Sequence, residues 1–380
     1  MRRVRLKLLN KAKNIKKYKR ILAVLAIVLL TAFIEIIFNF RSIIGGYDWM
    51  DVTEHMKLEE EGEYEKYVID FTTDKALYIK QIRLVGEFAS DDAYVMEVQK
   101  LNGFGKSEKV SYWDNVSTWF SESYTNLNKK VKSIKITLYK PEKTELHSVA
   151  FSNRFEINKY RVLFVVCLLA LLYAMIFEKK FVQKVEWYFL CFSLVFGLLV
   201  IIYAQPTYNA WDEEVHFQNV YSIASGKHVK WSEATQSIID KKTPSCNTKA
   251  EYAELRAVMN EKGREVLHLE TKETGVVSYS FLAYIPMAIM MKIGMLLNFS
   301  FSNMYMLGKI GNLLFYVAIM FLAIRLAKKK KLFLVFIAMM PTSIYLAASY
   351  SYDAVVFACV TLGSVLWCNE MFYSQKKYQA

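Results

Sequence analysis

The sequence predicts a polytopic α-helical membrane protein with an inserted all-β domain, and three observations lead to this fold class. The chain of 380 residues is 54% hydrophobic and 22% charged. Its apolar residues fall in blocks of about 18 or more, which is the length that crosses a bilayer. Residues 41–158 show instead the alternation of apolar and polar residues that is typical of strands.

The N-terminal segment predicts the orientation of the chain. Residues 1–20 carry ten Lys or Arg and no acid, which by the positive-inside rule predicts a cytoplasmic tail. We therefore interpret the net charge of +13 as topology rather than as nucleic-acid binding. Ile21–Phe40 is the first predicted span, and since no small-residue cleavage site follows it, we expect a retained anchor.

Residues 41–158 are expected to form a β-sandwich outside the cytoplasm, because turn-forming residues separate short alternating runs. The last runs, which end in AFSNRF, resemble the closing strands of galactose-binding-like jelly rolls. Four aromatic residues of this region predict either a stacking platform for a sugar or ordinary core and rim positions. They are Trp49, Trp113, Trp119 and Tyr124.

The second half of the chain is predicted to return to the membrane. Tyr160–Phe177 and Val185–Ala204 are two further spans, followed by a polar outer loop, residues 205–275. Four more apolar blocks follow: Val276–Leu297, Met304–Ala327, Leu332–Tyr350 and Ala354–Phe372. If all four crossed, the lysines at 328–331 would lie outside the cytoplasm, against the positive-inside rule. We therefore expect 276–297 to be a membrane-lying helix, with six spans in all and residues 373–380 in the cytoplasm.

The outer loop opens with the sequence QPTYNAWDEEVHFQNV at 205–220. Helical spacing places Asp212 and His216 on one face, with Glu213 and Glu214 on its flanks. Ionisable groups at a membrane surface indicate function by default. Two other interpretations remain open: WDEEVH is the solvated first turn of an amphipathic helix, and Asp353 is a helix-start acid.

The order of these motifs carries a resemblance. The pattern P-x4-WDEE-x-H, then YSFLAYIPMAIMMKIG, then MMPTSIYLAASYSYDAVVFA resembles the GT-C superfamily of membrane glycosyltransferases. Within it, the pattern is most similar to bacterial membrane proteins grouped as domain of unknown function 2142, over residues 185–372. By this resemblance Asp212 and Glu213 match the acidic motif of the first outer loop, and Asp353 matches the acid of the second.

The resemblance implies transfer of a sugar from a polyprenyl-phosphate donor. Such a transfer needs a base for the acceptor hydroxyl and positive charge for the departing phosphate. We expect Asp212 to be the base, Glu213 to contact the acceptor or a metal, and Asp353 to position the reactants. Asp212 and Glu213 are also candidate ligands of Mg²⁺ or Mn²⁺, since hard cations prefer carboxylate oxygens. Further expected substrate-binding residues are Trp211, Glu214, His216 and Lys292, with Lys309 and Arg256 as other candidates for the phosphate.

One departure from the superfamily affects the expected activity. The chain ends soon after the fourth span of the resembling module, so a truncated product, an inactive relative and one part of a split assembly all remain open. The leading hypothesis is a cell-membrane glycosyltransferase-like protein acting on an extracytoplasmic glycan. The alternative is a non-enzymatic glycan-binding or assembly subunit of cell-envelope polysaccharide synthesis, with a membrane partner subunit. A secondary transporter is disfavoured because the spans show neither midplane charges nor an internal repeat.

Overall fold

The computed structural model describes residues 2–62, 64–89, 93–103, 105–118, 120–140, 143–178, 181–203, 210, 212–226, 246, 248–266 and 281–373. Its first helices are α1 (Arg2–Phe38), α2 (Phe40–Gly45), α3 (Lys159–Phe177) and α4 (Val185–Tyr203). The polar part of the second half supplies α5 (Glu213–Ser225) and α6 (Lys249–Val266). The last helices are α7 (Ile285–Leu296), α8 (Phe301–Leu326), α9 (Lys331–Ala338), α10 (Pro341–Ala347) and α11 (Asp353–Tyr373).

Five helices of the described residues are long and apolar enough to cross a membrane, which supports membrane association. They are Tyr18–Phe38 within α1, then α3, α4, α8, and Asp353–Phe372 within α11. These five correspond to five of the six predicted spans. Much of their surface is apolar and exposed, as expected for side chains that face lipid rather than protein.

The sixth predicted span, Leu332–Tyr350, is not one continuous helix in the structure, and its crossing of the membrane stays a prediction. The structure divides it into α9, of 8 residues, and α10, of 7 residues. Pro341 is the first residue of α10; its ring removes a backbone donor and disfavours helical backbone at the preceding Met340, which is extended. The proline therefore ends one helix and begins the next.

Contacts along α8 show how the helices are aligned. Trp187 of α4 lies against Phe321, and Gly197 lies against Leu313, so α4 runs antiparallel to α8. The α11 helix runs parallel to α8, because the Asn369 amide donates to the Leu326 carbonyl while the start of α11 lies near Asn312. The α9–α10 pair thus returns the chain along α8 from the end of that helix to Asn312, over about 20 Å.

Two ion pairs show that the basic segments lie on one side of the helices. Arg20 pairs with Glu178 at 3.7 Å, and Lys331 pairs with Glu186 at 3.9 Å. The start of the apolar part of α1, which carries Arg20, therefore lies on the same side of the helices as the turn before α4 and the lysines at 328–331. We call this the basic side, and the opposite side, where α5 begins, the acidic side.

Helix α7 differs in extent from the predicted membrane-lying helix, Val276–Leu297. The described part is a 3₁₀ turn, Phe281–Tyr284, and the 12-residue α7. At about 18 Å, this helix is shorter than the roughly 30 Å hydrocarbon core. It packs antiparallel to the first part of α8, with Gly311 against the Pro286 carbonyl and Gly294 against Met304. Its place relative to the bilayer stays a prediction.

The β domain has strands β1 (Met50–Asp51), β2 (Met56–Glu61), β3 (Tyr64–Glu87), β4 (Ala93–Leu101), β5 (Ser107–Asn115), β6 (Glu122–Lys140) and β7 (Glu145–Ser152). All pairings are antiparallel, in the order β1-β7-β3-β6-β4-β5, with β2 also on β3. The long strands β3 and β6 change register between Thr72 and Leu77, so their two halves join different neighbours. Both halves contribute to one core, for example Ile69 and Leu138 from one half and Leu84 and Leu127 from the other. The predicted β-sandwich is confirmed; its galactose-binding-like class stays a prediction.

Helices α3–α11 are called the membrane module from here on. The β domain contacts this module through α6. Glu251 accepts hydrogen bonds from the backbone N–H groups of Tyr124 (2.9 Å) and Thr248 (2.8 Å). The second bond, with the Thr248 hydroxyl accepting from the Glu251 N–H, makes a capping box at the start of α6. Glu254 accepts from the Ser121 backbone, and Phe120 joins the core of the membrane module. The buried Glu251 carboxylate thus caps the first turn of α6 and also accepts a hydrogen bond from the backbone of strand β6.

Candidate functional site

The acidic motif starts helix α5 in an unusual backbone conformation. Asp212 has φ +61° and ψ 20°, the left-handed region that non-glycine residues rarely adopt. Its side chain does not cap the helix, while its carbonyl accepts from the backbone N–H of Val215 and His216. This sharp turn sends Asp212 to the surface and the next residue, Glu213, into the interior.

Glu213 forms a buried ion pair with Lys309. The carboxylate Oε1 lies 2.7 Å from Lys309 Nζ, and the two side chains are 0% and 1% exposed. The other oxygen accepts from the Ala210 N–H at 3.2 Å, and Oε1 also accepts from the Tyr350 N–H at 3.4 Å. Charges are costly to bury unless they are paired and hydrogen-bonded, as these are. The pair therefore joins the start of α5 to α8 and to the segment before α11.

That segment, residues 346–353, is also held by α8. The Asn312 amide donates to the carbonyls of Leu346, Ser349 and Ser351 at 2.9–3.2 Å. The Tyr350 hydroxyl donates to the Tyr305 carbonyl at 2.6 Å, and a Cβ at Gly308 would lie 2.1 Å from that hydroxyl. Glycine is thus needed at 308 for Tyr350 to reach α8.

Asp353 begins helix α11 beside this anchored segment. Its backbone N–H donates to the Ser351 hydroxyl at 3.1 Å, so the Ser351 side chain caps the start of α11. Its side chain is exposed. The interpretation of Asp353 as a helix-start acid therefore accounts for its backbone, while its exposed carboxylate is accessible from solvent.

The two acidic segments meet at His216. Burial lowers the pKa of this imidazole below its usual value, and the negative charges of Asp353, Asp212 and Glu213 act in the opposite direction. Tyr352, the residue before Asp353, lies against the imidazole with ring centroids 5.2 Å apart, so the start of α11 lies beside His216 although the two are far apart in sequence. The structure therefore brings the predicted acids of the two loops around one histidine, which is neutral at pH 7.

Aromatic residues fix the orientation of His216. Its Nδ1 lies 2.9 Å from the Tyr284 hydroxyl, and that oxygen accepts from the Asn219 amide at 3.4 Å. The Tyr352 ring packs edge-on against the imidazole, with centroids 5.2 Å apart.

The other predicted site residues are not all part of this cluster. Trp211 lies outside the described residues. Glu214 follows Glu213 on α5 and is half-buried. Lys292 is exposed on α7, eight residues beyond Tyr284 and so about 12 Å along the helix axis. Arg256 binds Ser302 and Asn303 at the first turn of α8, about 10 Å along α8 from Lys309.

The predicted metal ligands are arranged differently from the expectation. Asp212 is exposed, whereas Glu213 faces Lys309 in the interior, so the two do not present adjacent carboxylates to solvent. Within the described ranges, no group of three or more His, Cys, Asp or Glu side chains is placed to hold a metal ion.

The aromatic residues of the β domain also fall into different environments. Trp49 and Tyr124 are neighbours, with ring centroids 5.9 Å apart, but Tyr124 is buried. The guanidinium of Arg83 lies 4.6 Å from the Trp49 ring centre, so a cation covers that ring. Trp113 is 70% exposed on strand β5, and Trp119 lies outside the described residues.

Sequence reasoning missed the groups that hold the site together. Tyr284, Asn312 and Tyr350 were not predicted as site residues, and Lys309 was considered only for phosphate binding. A single polar residue in an apolar helix was the available signal for Lys309 and Asn312, because such residues need partners in the interior. Their partners depend on helix alignment and could not be derived from spacing.

Comparison with known proteins agrees with part of the sequence analysis. Residues 192–377, just under half of the chain, match the family model described as "Predicted membrane protein (DUF2142)". No curated protein matches the chain. The matched range includes α5, α8 and α11, and so all the residues of the acidic cluster. This part of the chain is therefore similar to the DUF2142 family of predicted membrane proteins, as its motifs indicated.

Proposed function

We propose that this protein is a membrane glycosyltransferase of the GT-C type, which transfers a sugar from a polyprenyl-phosphate donor to an extracytoplasmic glycan. The observation that carries the proposal is that the segments bearing Asp212 and Asp353 are joined on the acidic side of the helices, through the Tyr350–Glu213 hydrogen bond and the contact of Tyr352 with His216. Two exposed carboxylates beside a neutral imidazole can accept and relay a proton at pH 7. The basic segments lie on the opposite side, which by the positive-inside rule supports an extracytoplasmic position for this cluster.

Asp212 is the proposed base. It is exposed, and its side chain does not cap α5, so the carboxylate is open to an acceptor hydroxyl. The acceptor oxygen attacks the anomeric carbon while its proton passes to Asp212, and the bond from that carbon to the phosphate oxygen breaks. Polyprenyl phosphate leaves with the bonding electrons. Asp353 and His216 would position the acceptor, since the start of α11 lies beside His216 and is hydrogen-bonded to the start of α5.

Glu213 takes a different role in this proposal from the one its sequence position indicates. Its burial against Lys309 makes it a positioning residue, which holds the start of α5 against the segment that precedes Asp353. Lys309 in turn is neutralised by Glu213 and is not the proposed phosphate ligand. Arg256, which lies on α6 against the first turn of α8, and Lys292, which is exposed on α7, are the proposed contacts for the leaving phosphate.

A divalent cation fits the proposal only at the exposed carboxylates. Asp212 and Asp353 offer hard oxygen ligands, and Mg²⁺ or Mn²⁺ commonly binds one or two carboxylates together with substrate phosphate. Transfer measured with and without EDTA, followed by readdition of each metal, tests this use.

The function is tested by reconstituting the full chain with a panel of synthetic polyprenyl-phosphate hexoses and glycan acceptors. Wild type is expected to transfer sugar, and Asp212→Asn to lose at least about a hundredfold in rate, the scale of general-base catalysis. Asp74→Asn, an exposed acid of strand β3, is the matched control and should keep the wild-type rate. Equal transfer by Asp212→Asn and wild type would remove the catalytic claim.

The proposed orientation has a separate test. In a cysteine-free variant, single cysteines replace Asn298, in the turn between α7 and α8, and Lys330, in the basic turn; both positions are exposed. A membrane-impermeant thiol reagent added outside intact cells should label position 298 and not position 330. Labelling of position 330 alone would place the acidic cluster in the cytoplasm and contradict the proposed donor.

One observation favours a second function, that of a non-enzymatic glycan-binding or assembly subunit. Glu213, half of the matched acidic motif, is held inside the protein by Lys309, which is a structural use of the motif. This function predicts that the full chain retains glycan when Asp212 and Asp353 are both changed to Asn. Loss of retention in that double variant would argue against it.

A further inference from the structure

A groove between α1 and α3 lies apart from the acidic cluster, near the basic side of the helices. It has a volume of about 920 Å³ and is lined by one face of each helix. Most of the lining is apolar, including Leu22 and Ile27 from α1 and Leu172 and Ile176 from α3. At one end the lining becomes charged, with Lys19, Arg20 and Glu178.

The groove exists because the two helices are held at both ends and separated between them. At the acidic side, the Arg161 guanidinium makes two hydrogen bonds to Glu35, at 2.5 and 2.7 Å. At the basic side, Arg20 pairs with Glu178 at 3.7 Å. Between these pairs α1 presents Ala23 and Ala26 to the groove, and alanine side chains are too short to fill the space.

Both walls belong to helices that can cross a membrane, so the groove is open to the hydrocarbon rather than to water. An unfilled apolar space forfeits van der Waals contacts, so an acyl chain from the bilayer is favoured inside it. Its volume falls within the range of about 300–1,000 Å³ that is usual for small-molecule sites.

The charges at the end of the groove determine the class of headgroup. Glu178 offsets Arg20, which leaves the exposed Lys19 as a net positive charge at the mouth. The sequence that precedes Lys19 is also rich in Lys and Arg. Basic sites between membrane helices next to a polybasic segment attract anionic lipid headgroups.

We propose that this groove binds an anionic phospholipid of the leaflet on the basic side, with an acyl chain between α1 and α3 and its headgroup phosphate at Lys19 and Arg20. The site is independent of the proposed transfer reaction, because its residues lie at the other end of the helices. Bound lipid would fill the space between the anchor α1 and the rest of the helices.

The test measures lipid retained by the full chain after reconstitution in vesicles of equal parts phosphatidylglycerol and phosphatidylcholine. Native mass spectrometry of wild type is expected to show phosphatidylglycerol retained in preference. Lys19→Gln should reduce that preference about fivefold, the effect of one basic side chain. Lys330→Gln, an exposed lysine on the same side, should leave the preference unchanged.

Filling the groove gives a second arm. Ala26→Phe should remove most of the retained phospholipid, whereas Ala32→Phe, at an exposed position of α1 that does not line the groove, should retain it. Retention by Ala26→Phe equal to that of Ala32→Phe would overturn the proposal, as would a wild-type preference for neither lipid.

A third measurement covers the case in which Ala26→Phe fails to fold. Photoreactive benzoylphenylalanine replaces either Leu172, which lines the groove, or Leu168, which is exposed one turn earlier on the same helix and does not. Cross-linked lipid at position 172 should be enriched in phosphatidylglycerol, and cross-linked lipid at position 168 should match the bulk mixture. Bulk composition at both positions would refute a specific site.

Discussion

Removing one partner of the Glu213–Lys309 pair is expected to destabilise the membrane module strongly. Both side chains are almost fully buried and 2.7 Å apart. Glu213→Gln leaves a buried ammonium without its counter-charge, and Lys309→Met leaves a buried carboxylate with the N–H groups of Ala210 and Tyr350. Breaking a buried pair in this way costs about 3–5 kcal/mol.

The double variant Glu213→Gln/Lys309→Met separates the pair from its surroundings. Since it leaves no buried charge, we expect it to be no less stable than either single variant. Non-additivity of about 2 kcal/mol or more is the corresponding coupling in a double-mutant cycle. Free energies of unfolding come from SDS titration in mixed micelles, monitored by tryptophan fluorescence.

The exposed pair of Lys66 and Glu61 is the matched control. Its atoms are 2.8 Å apart, almost the same distance, but the Glu61 side chain is 60% exposed. Because water solvates either charge when its partner is removed, Lys66→Met and Glu61→Gln should leave unfolding unchanged within error. Additive single variants at 213 and 309, or single variants as stable as wild type, would refute the reasoning from burial.

Three further predictions concern the surroundings of the site. Burial lowers the pKa of His216 in the folded state, so protonation of this residue favours unfolding. The free energy of unfolding should therefore be highest above pH 6.5, the usual pKa of histidine, and should fall as the pH drops below that value. His216→Gln should make the free energy of unfolding from SDS titration less dependent on pH in this range. Gly308→Ala places a Cβ 2.1 Å from the Tyr350 hydroxyl and should lower the free energy of unfolding by about 1–3 kcal/mol. Gly363→Ala is the control: position 363 has open space around it, so this variant should not lower the free energy of unfolding. Glu251→Ala removes both the capping box of α6 and a bond to the β domain, so limited proteolysis should release the β domain faster, and an unchanged rate would contradict that connection.

Element types were predictable where one physical signal dominates. Five spans followed from apolar length, because a bilayer requires it, and the β domain followed from alternation along its strands. The interruption of Leu332–Tyr350 was not predicted, because the apolar count gave no weight to Pro341, whose effect on the helix is local. Composition alone does not record where a helix is interrupted.

The candidate site was predicted in its residue types and only partly in its geometry. Spacing indicated that Asp212 and His216 share a face, and topology indicated that Asp353 lies on the same side. Spacing could not indicate that Glu213 turns inward, because this depends on the left-handed backbone at Asp212 and on a lysine carried by another helix.

The sequence by itself determined which five segments are long and apolar enough to cross a membrane, which segment forms strands, and which acids lie away from the basic turns. These properties follow from length, alternation and charge, which each segment carries alone. Only the tertiary structure decided the partners: Lys309 for Glu213, Tyr284 for His216, and Asn312 for the segment before Asp353. Partners depend on how α5, α8 and α11 align, and that alignment is set by packing among side chains far apart in the chain.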